Sequence, residues 1–116
     1  AVQLTSGAHW VAPLTLGSHR DHQLVRRAAE QLGAPLWLYA DYPYAASDPD
    51  HATNLPANVQ PQSFLLTPAA LTVWQDAVAA YQSQLSSFWD SETQMRLALA
   101  EYYQNGGGQI LWRLGC

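Results

Sequence analysis

The apolar positions of this chain form two kinds of run. Trp10-Val11-Ala12-Pro13-Leu14 and Pro35-Leu36-Trp37-Leu38-Tyr39 are short, nearly unbroken and flanked by turn residues. Runs of that kind are strands buried in a sheet. Between them Leu24, Val25, Ala28, Ala29 and Leu32 recur at three-four spacing, and Gly33 follows. The spacing predicts a helix from His19 or Asp21 to Leu32, with these residues on its buried face and Gly33 as its stop. Strand, helix and strand within about 30 residues make a βαβ unit with parallel strands.

The second half is predominantly helical. Residues 41–66 hold much of the proline and polar turn chemistry and have no periodicity, which predicts a long irregular loop of the kind that often carries function. Thr67-Pro68 then opens a helix, with threonine as N-cap and proline in the first turn. Leu71, Trp74, Val78, Tyr81, Leu85 and Phe88 continue at alternating three-four spacing, predicting one helix with Trp74, Tyr81 and Phe88 in its core stripe. Ser91-Glu92-Thr93-Gln94 has the capping-box pattern. The helix it opens would bury Met95, Ala98, Leu99 and Tyr102 and end at Gly106-Gly107-Gly108. Ile110-Leu111-Trp112 reads as a last short strand. Two strands and a short third are too few to cover these helices. The expected fold is therefore α/β and Rossmann-like but partial: the C-terminal half of a doubly wound sheet with packed helices, in one domain over residues 1–116.

Composition narrows the function. Charged residues are 12% of the 116, about half the usual share. So sparse a charge is expected of a surface partly covered by something else: a missing N-terminal portion, a partner chain or a second copy in a homo-oligomer. The net charge is −4 and there is no lysine. That argues against nucleic acid as a partner, because a phosphate backbone requires a basic patch. It also excludes Schiff-base chemistry and a Walker A loop. Cys116 is the single cysteine, so neither an intrachain disulfide nor a cysteine zinc cluster can form. No apolar run reaches the ~20 residues of a membrane span and no signal-peptide pattern is visible. The expected location is cytoplasmic, with no membrane partner.

The chemistry concentrates in Gly17-Ser18-His19-Arg20-Asp21-His22. This glycine turn lies between an apolar strand and a helix, where open α/β sheets place their ligands. Catalytic zinc takes three protein ligands, commonly histidine and carboxylate, and leaves a position for water. The bound water becomes a nucleophile near neutral pH, and such a site gains from a second group that donates a proton. His19 and His22 lie about one helical turn apart and can face one pocket. One could bind metal while the other stays free as acid. Asp21 could set the tautomer of a histidine, as carboxylates behind metal ligands do. His9 stands at the opposite end of the first strand, and His51 lies in the loop. Close histidine pairs are more often surface or helix-start groups, and the remaining ligands of a complete hydrolytic site are missing from these residues.

The run Val11-Ala12-Pro13-Leu14-Thr15-Leu16-Gly17-Ser18-His19-Arg20-Asp21-His22 resembles the second motif of the PIG-L (LmbE-like) zinc-dependent de-N-acetylases, an apolar-Pro-Leu stretch, a glycine and His-x-Asp-His. The resemblance continues through Val25 to Ala29, Leu38 to Ala45, Ala80 to Leu85 and Leu111-Trp112-Arg113. It implies a Rossmann-like fold and hydrolysis of an N-acetyl group from an amino sugar or glycoconjugate. It further implies His22 as a zinc ligand, His19 as the acid or oxyanion stabiliser, and Asp21 as the electrostatic partner of His19. The family's first motif, Ala-His-Pro-Asp-Asp, which supplies two more zinc ligands and the general base, is absent. The chain is thus expected to be a C-terminal portion, inactive alone. Ala40 stands where many members have glutamate.

Asp41 and Tyr42, with Tyr39 and Tyr44 nearby, are candidates to line a sugar pocket. The competing reading is that these residues shape the exit from a strand. Two other functions stay open: a non-catalytic binding module on the same half-fold with an incomplete metal site, and an unrelated metal hydrolase using His19, His22 and His51.

Overall fold

The computed structural model describes residues 7–47, 55 and 58–114. His51 and Cys116 lie outside these residues. The described residues form two compact units, one within 7–63 and 110–114 and the other of residues 64–109.

The first unit is built on a four-stranded mixed sheet. Its strands are β1 (Trp10–Pro13), β2 (Leu36–Tyr39), β3 (Val59–Ser63) and β4 (Ile110–Leu114), in the order β1-β2-β4-β3. β1 and β2 run parallel, with Ala12 opposite Leu38, and the crossover between them is helix α1 (Arg20–Glu30), which packs on β1. The βαβ unit expected from the apolar runs is present, and the fold is α/β. β4 lies antiparallel between β2 and β3, with Trp112 opposite both Leu38 and Pro61. The two prolines within strands, Pro13 and Pro61, sit on the outer strands β1 and β3, where a missing N–H can be tolerated. Ala12, Leu14, Leu36, Leu38 and Trp112 form the buried core of this unit, flanked by Trp10, Ala29, Val59 and Ile110.

Two expectations change here. The span read as an irregular loop contains the short helix α2 (Tyr44–Ser47) and strand β3. Val59-Gln60-Pro61-Gln62-Ser63 carries almost no apolar alternation, because an edge strand with four exposed residues needs none. The face assigned to α1 is also turned. Leu24 and Val25 are 66% and 52% exposed, while His22, Arg26 and Ala29 are only partly exposed. On the partly exposed side the Arg26 guanidinium donates to the Leu14 carbonyl at 2.9 Å and to Glu30 at 2.8 Å. That anchors the polar side of the helix to the end of β1.

The second unit is helical. Thr67 caps α3 (Pro68–Ala79), its hydroxyl accepting the Ala70 N–H at 3.2 Å, as the Thr-Pro signal predicts. The helix does not continue through Phe88. Tyr81 leaves helical geometry (φ −88°, ψ 58°), and the short α4 (Gln82–Leu85) follows. That break takes the later stripe residues out of line, and Tyr81 and Phe88 are 69% and 50% exposed rather than core. Ser91 caps α5 (Glu92–Gln104) by accepting the Gln94 N–H at 3.1 Å, and the Gln94 side chain returns to the Asp90 N–H. Met95 and Leu99 are fully buried, and α3 packs against α5. The Gln75 side chain donates to the Arg96 carbonyl at 2.8 Å, and Trp74 meets Tyr102. Among the described residues no helix is long and apolar enough to cross a membrane.

Candidate functional site

The candidate residues gather at the C-terminal ends of the two parallel strands. After β1 the chain turns through Leu16–Ser18, with three residues in the left-handed region: Thr15 (φ 74°), Gly17 (φ 76°) and Ser18 (φ 55°). Thr15 and Ser18 carry a side-chain penalty there, and such strain concentrates at functional turns. Gly17 is required for a second reason, since a Cβ at that position would collide with the ring of Tyr44. The turn delivers His19 to the N-cap of α1, where its Nδ1 accepts the Asp21 N–H at 3.2 Å. With Nδ1 accepting, the proton of the neutral ring is on Nε2, which makes Nε2 a donor.

Three residues on, in the first turn of α1, His22 is 32% exposed and its Nδ1 lies 3.1 Å from Oδ2 of Asp41. Asp41 comes from the end of β2, and its carbonyl accepts the Ala45 N–H at 2.7 Å. The carboxylate is 1% exposed, and its Oδ1 has no hydrogen-bond partner among the described residues. The Nδ1 of His22 is thus turned to Asp41, which leaves Nε2 for another partner. The rings of His19 and His22 are 4.9 Å apart, and Tyr44 meets the edge of His22 at 6.4 Å and 81°. Burial pushes the Tyr39 phenol above its ordinary range, and the charge of Asp41 adds to that.

The structure brings His19, His22, Asp41 and Tyr44 together. Asp21 is exposed, and its hydrogen bond to His19 comes from its main chain. The carboxylate found on an imidazole is that of Asp41, which the sequence suggested for a substrate contact. Tyr42 is half-buried beside it. The pairing was open to sequence reasoning in one respect: residues just after two adjacent parallel strands become neighbours. His9, in contrast, borders a cleft of about 420 Å³ with Trp10, Trp37 and Arg113, at the other end of the strands.

Among the described residues no three His, Cys, Asp or Glu side chains converge as a metal-holding group. What is present fits part of such a site: an imidazole whose one nitrogen faces a buried carboxylate and whose other has no hydrogen bond among the described residues. That is the arrangement by which proteins orient metal-binding histidines.

No protein-family model matches the chain, and no curated protein matches it significantly. Among solved structures, it is similar to the zinc-inhibited form of teicoplanin deacetylase Orf2, with a TM-score of 0.67 and 27% identity. The match covers 89% of this chain but 43% of that protein, so the chain spans less than half the length of its solved neighbour. The fold is therefore deacetylase-like.

Proposed function

We propose that this chain is the C-terminal portion of a zinc-dependent hydrolase that removes an N-acetyl group from an amino sugar or glycoconjugate. The observation that carries the reading is the His22–Asp41 pair at 3.1 Å, beside His19, in a deacetylase-like fold. His22 would hold the metal through Nε2. The zinc, when bound, polarises the amide carbonyl and activates water. The other ligands and the general base belong to a further segment or a partner chain carrying the His-Pro-Asp-Asp motif.

The residues of this chain have separate tasks. His19 presents its Nε2–H as a hydrogen-bond donor to the oxygen that gains charge as the amide is attacked. Asp21, in the first turn beside it, holds the His19 ring through its main-chain N–H. Tyr42, following Asp41, contributes to the wall that receives the sugar.

The test is His22→Ala in a protein that contains both this chain and the His-Pro-Asp-Asp segment. Metal-dependent release of acetate from N-acetylated amino sugars should be abolished, and retained activity would refute the role of His22. The absence of a three-donor group among the described residues favours a second reading, a binding module without catalysis. Under either reading the isolated chain holds zinc weakly and substoichiometrically. Tight one-to-one zinc would instead support the hydrolase that uses His19, His22 and His51.

A further inference from the structure

We propose that Asp41 is a positioning residue: it accepts the Nδ1–H of His22 and fixes the tautomer in which Nε2 presents its lone pair to a divalent metal. The proposal rests on His22 being the metal ligand of this chain.

Asp41 is 1% exposed, which is too enclosed for direct contact with a sugar. A carboxylate removed from water is costly unless hydrogen bonds compensate it. Its Oδ1 has no partner among the described residues, and the contact of Oδ2 is Nδ1 of His22 at 3.1 Å. Among the described residues the compensation comes from one imidazole N–H, which favours the Nδ1–H form of the ring. Free histidine prefers the opposite tautomer, with its proton on Nε2, and in that form Nε2 cannot ligate. His19 is held the other way, its Nδ1 accepting from Asp21 at 3.2 Å. Two neighbouring histidines are thus set in opposite tautomers by two different partners. One offers a lone pair and the other a proton, and the assignment of roles follows from these hydrogen bonds.

The backbone explains why Asp41 can do this reliably. It sits just past the end of β2, in parallel register with β1, and its carbonyl holds the first turn of α2 through Ala45. Its main chain is thus held on both sides.

The experiment is histidine-labelled NMR on the whole 116-residue chain without metal, at about pH 8, above the ordinary imidazole range. Long-range nitrogen–proton correlations read the tautomer directly. His22 should be in the Nδ1–H form. Finding it in the Nε2–H form overturns the proposal, with no variant needed. Asp41→Leu, which removes the acceptor and keeps the site filled, should return His22 to the Nε2–H form while leaving His19 unchanged. Added Zn²⁺ alone should shift the His22 Nε2 resonance, and the zinc concentration required should rise about 10–100-fold in the variant. Asp41→Glu should recover part of that loss. An Nδ1–H ring that zinc does not perturb would leave the pair intact but remove His22 as a ligand, refuting the functional reading and the proposal with it. Unchanged zinc dependence in a folded Asp41→Leu chain would overturn the positioning role while sparing His22.

Discussion

The main-chain N–H of Asp21 donates to Nδ1 of His19 at 3.2 Å, so a histidine proposed to stabilise the oxyanion is also the N-cap of α1. The two tasks separate by substitution. His19→Ala removes both and should cost about 1 kcal/mol of stability. His19→Asn keeps a capping oxygen and should melt within error of the parent. In a protein completed by the His-Pro-Asp-Asp segment the Ala variant should lose about 10²–10³ in kcat, with little change in KM. Thermal unfolding beside steady-state kinetics checks this. An Asn variant as unstable as the Ala variant would mean that the cap is not what His19 contributes to the fold.

The turn before His19 makes a second prediction, on stability alone. Gly17 (φ 76°) and Gly33 (φ 69°) both lie in the left-handed region, but a Cβ at Gly17 meets the Tyr44 ring while one at Gly33 meets open space. Gly33→Ala should cost about 1–2 kcal/mol from backbone strain. Gly17→Ala should cost about 2–4 kcal/mol, since overpacking adds to the same strain. Urea unfolding of the two variants isolates the clash. Equal losses would show that Tyr44 swings away freely, and would weaken its place beside His22.

The helical unit allows a sharper contrast along one helix. Leu99 is fully buried in α5, while Leu97, two residues earlier, is 65% exposed. Leu99→Ala should lose about 2–5 kcal/mol and Leu97→Ala less than about 0.5 kcal/mol. Chemical denaturation followed by circular dichroism distinguishes them. A large loss at Leu97 would reveal a contact made by that side chain in solution.

These sites show which parts of the structure the residues announce. Trp10-Val11-Ala12-Pro13 and Leu36-Trp37-Leu38-Tyr39 are legible as parallel strands because burial demands unbroken apolar runs. Thr67, Ser91 and Pro68 mark helix starts because orphan N–H groups require partners or their absence. β3 is not legible, since an exposed edge strand can be written in Gln, Pro and Ser. The orientation of α1 escapes periodicity because Arg26 reaches the Leu14 carbonyl while Leu24 and Val25 stay exposed. For the site, His19 and His22 stand out as a local motif. Asp41 is separated from His22 by 19 positions, and becomes its partner only once β1 and β2 are aligned. Asp21 is the nearer carboxylate in sequence, yet the direction of a helix start turns its main chain, not its side chain, toward His19.

High pH tests the environment of two tyrosines. Burial raises the Tyr39 phenol, with the charge of Asp41 adding to it; burial also raises Tyr102, against a hydrogen bond with the Gly108 main chain that lowers it. Unfolded, both would titrate near 10.0. The folded chain therefore keeps its phenolic protons above the pH at which the unfolded chain releases them. Stability from this difference is complete below about pH 10 and declines as pH rises through the folded values. With no lysine in the chain, no ammonium side chain overlaps this alkaline transition. Urea midpoints should hold to about pH 9 and then fall, and tyrosinate absorbance of the folded chain should lag that of the unfolded chain. Tyr39→Phe and Tyr102→Phe should each flatten the decline. A midpoint that rises above about pH 10 would reverse the sign and place these phenols in surroundings that favour their charged form.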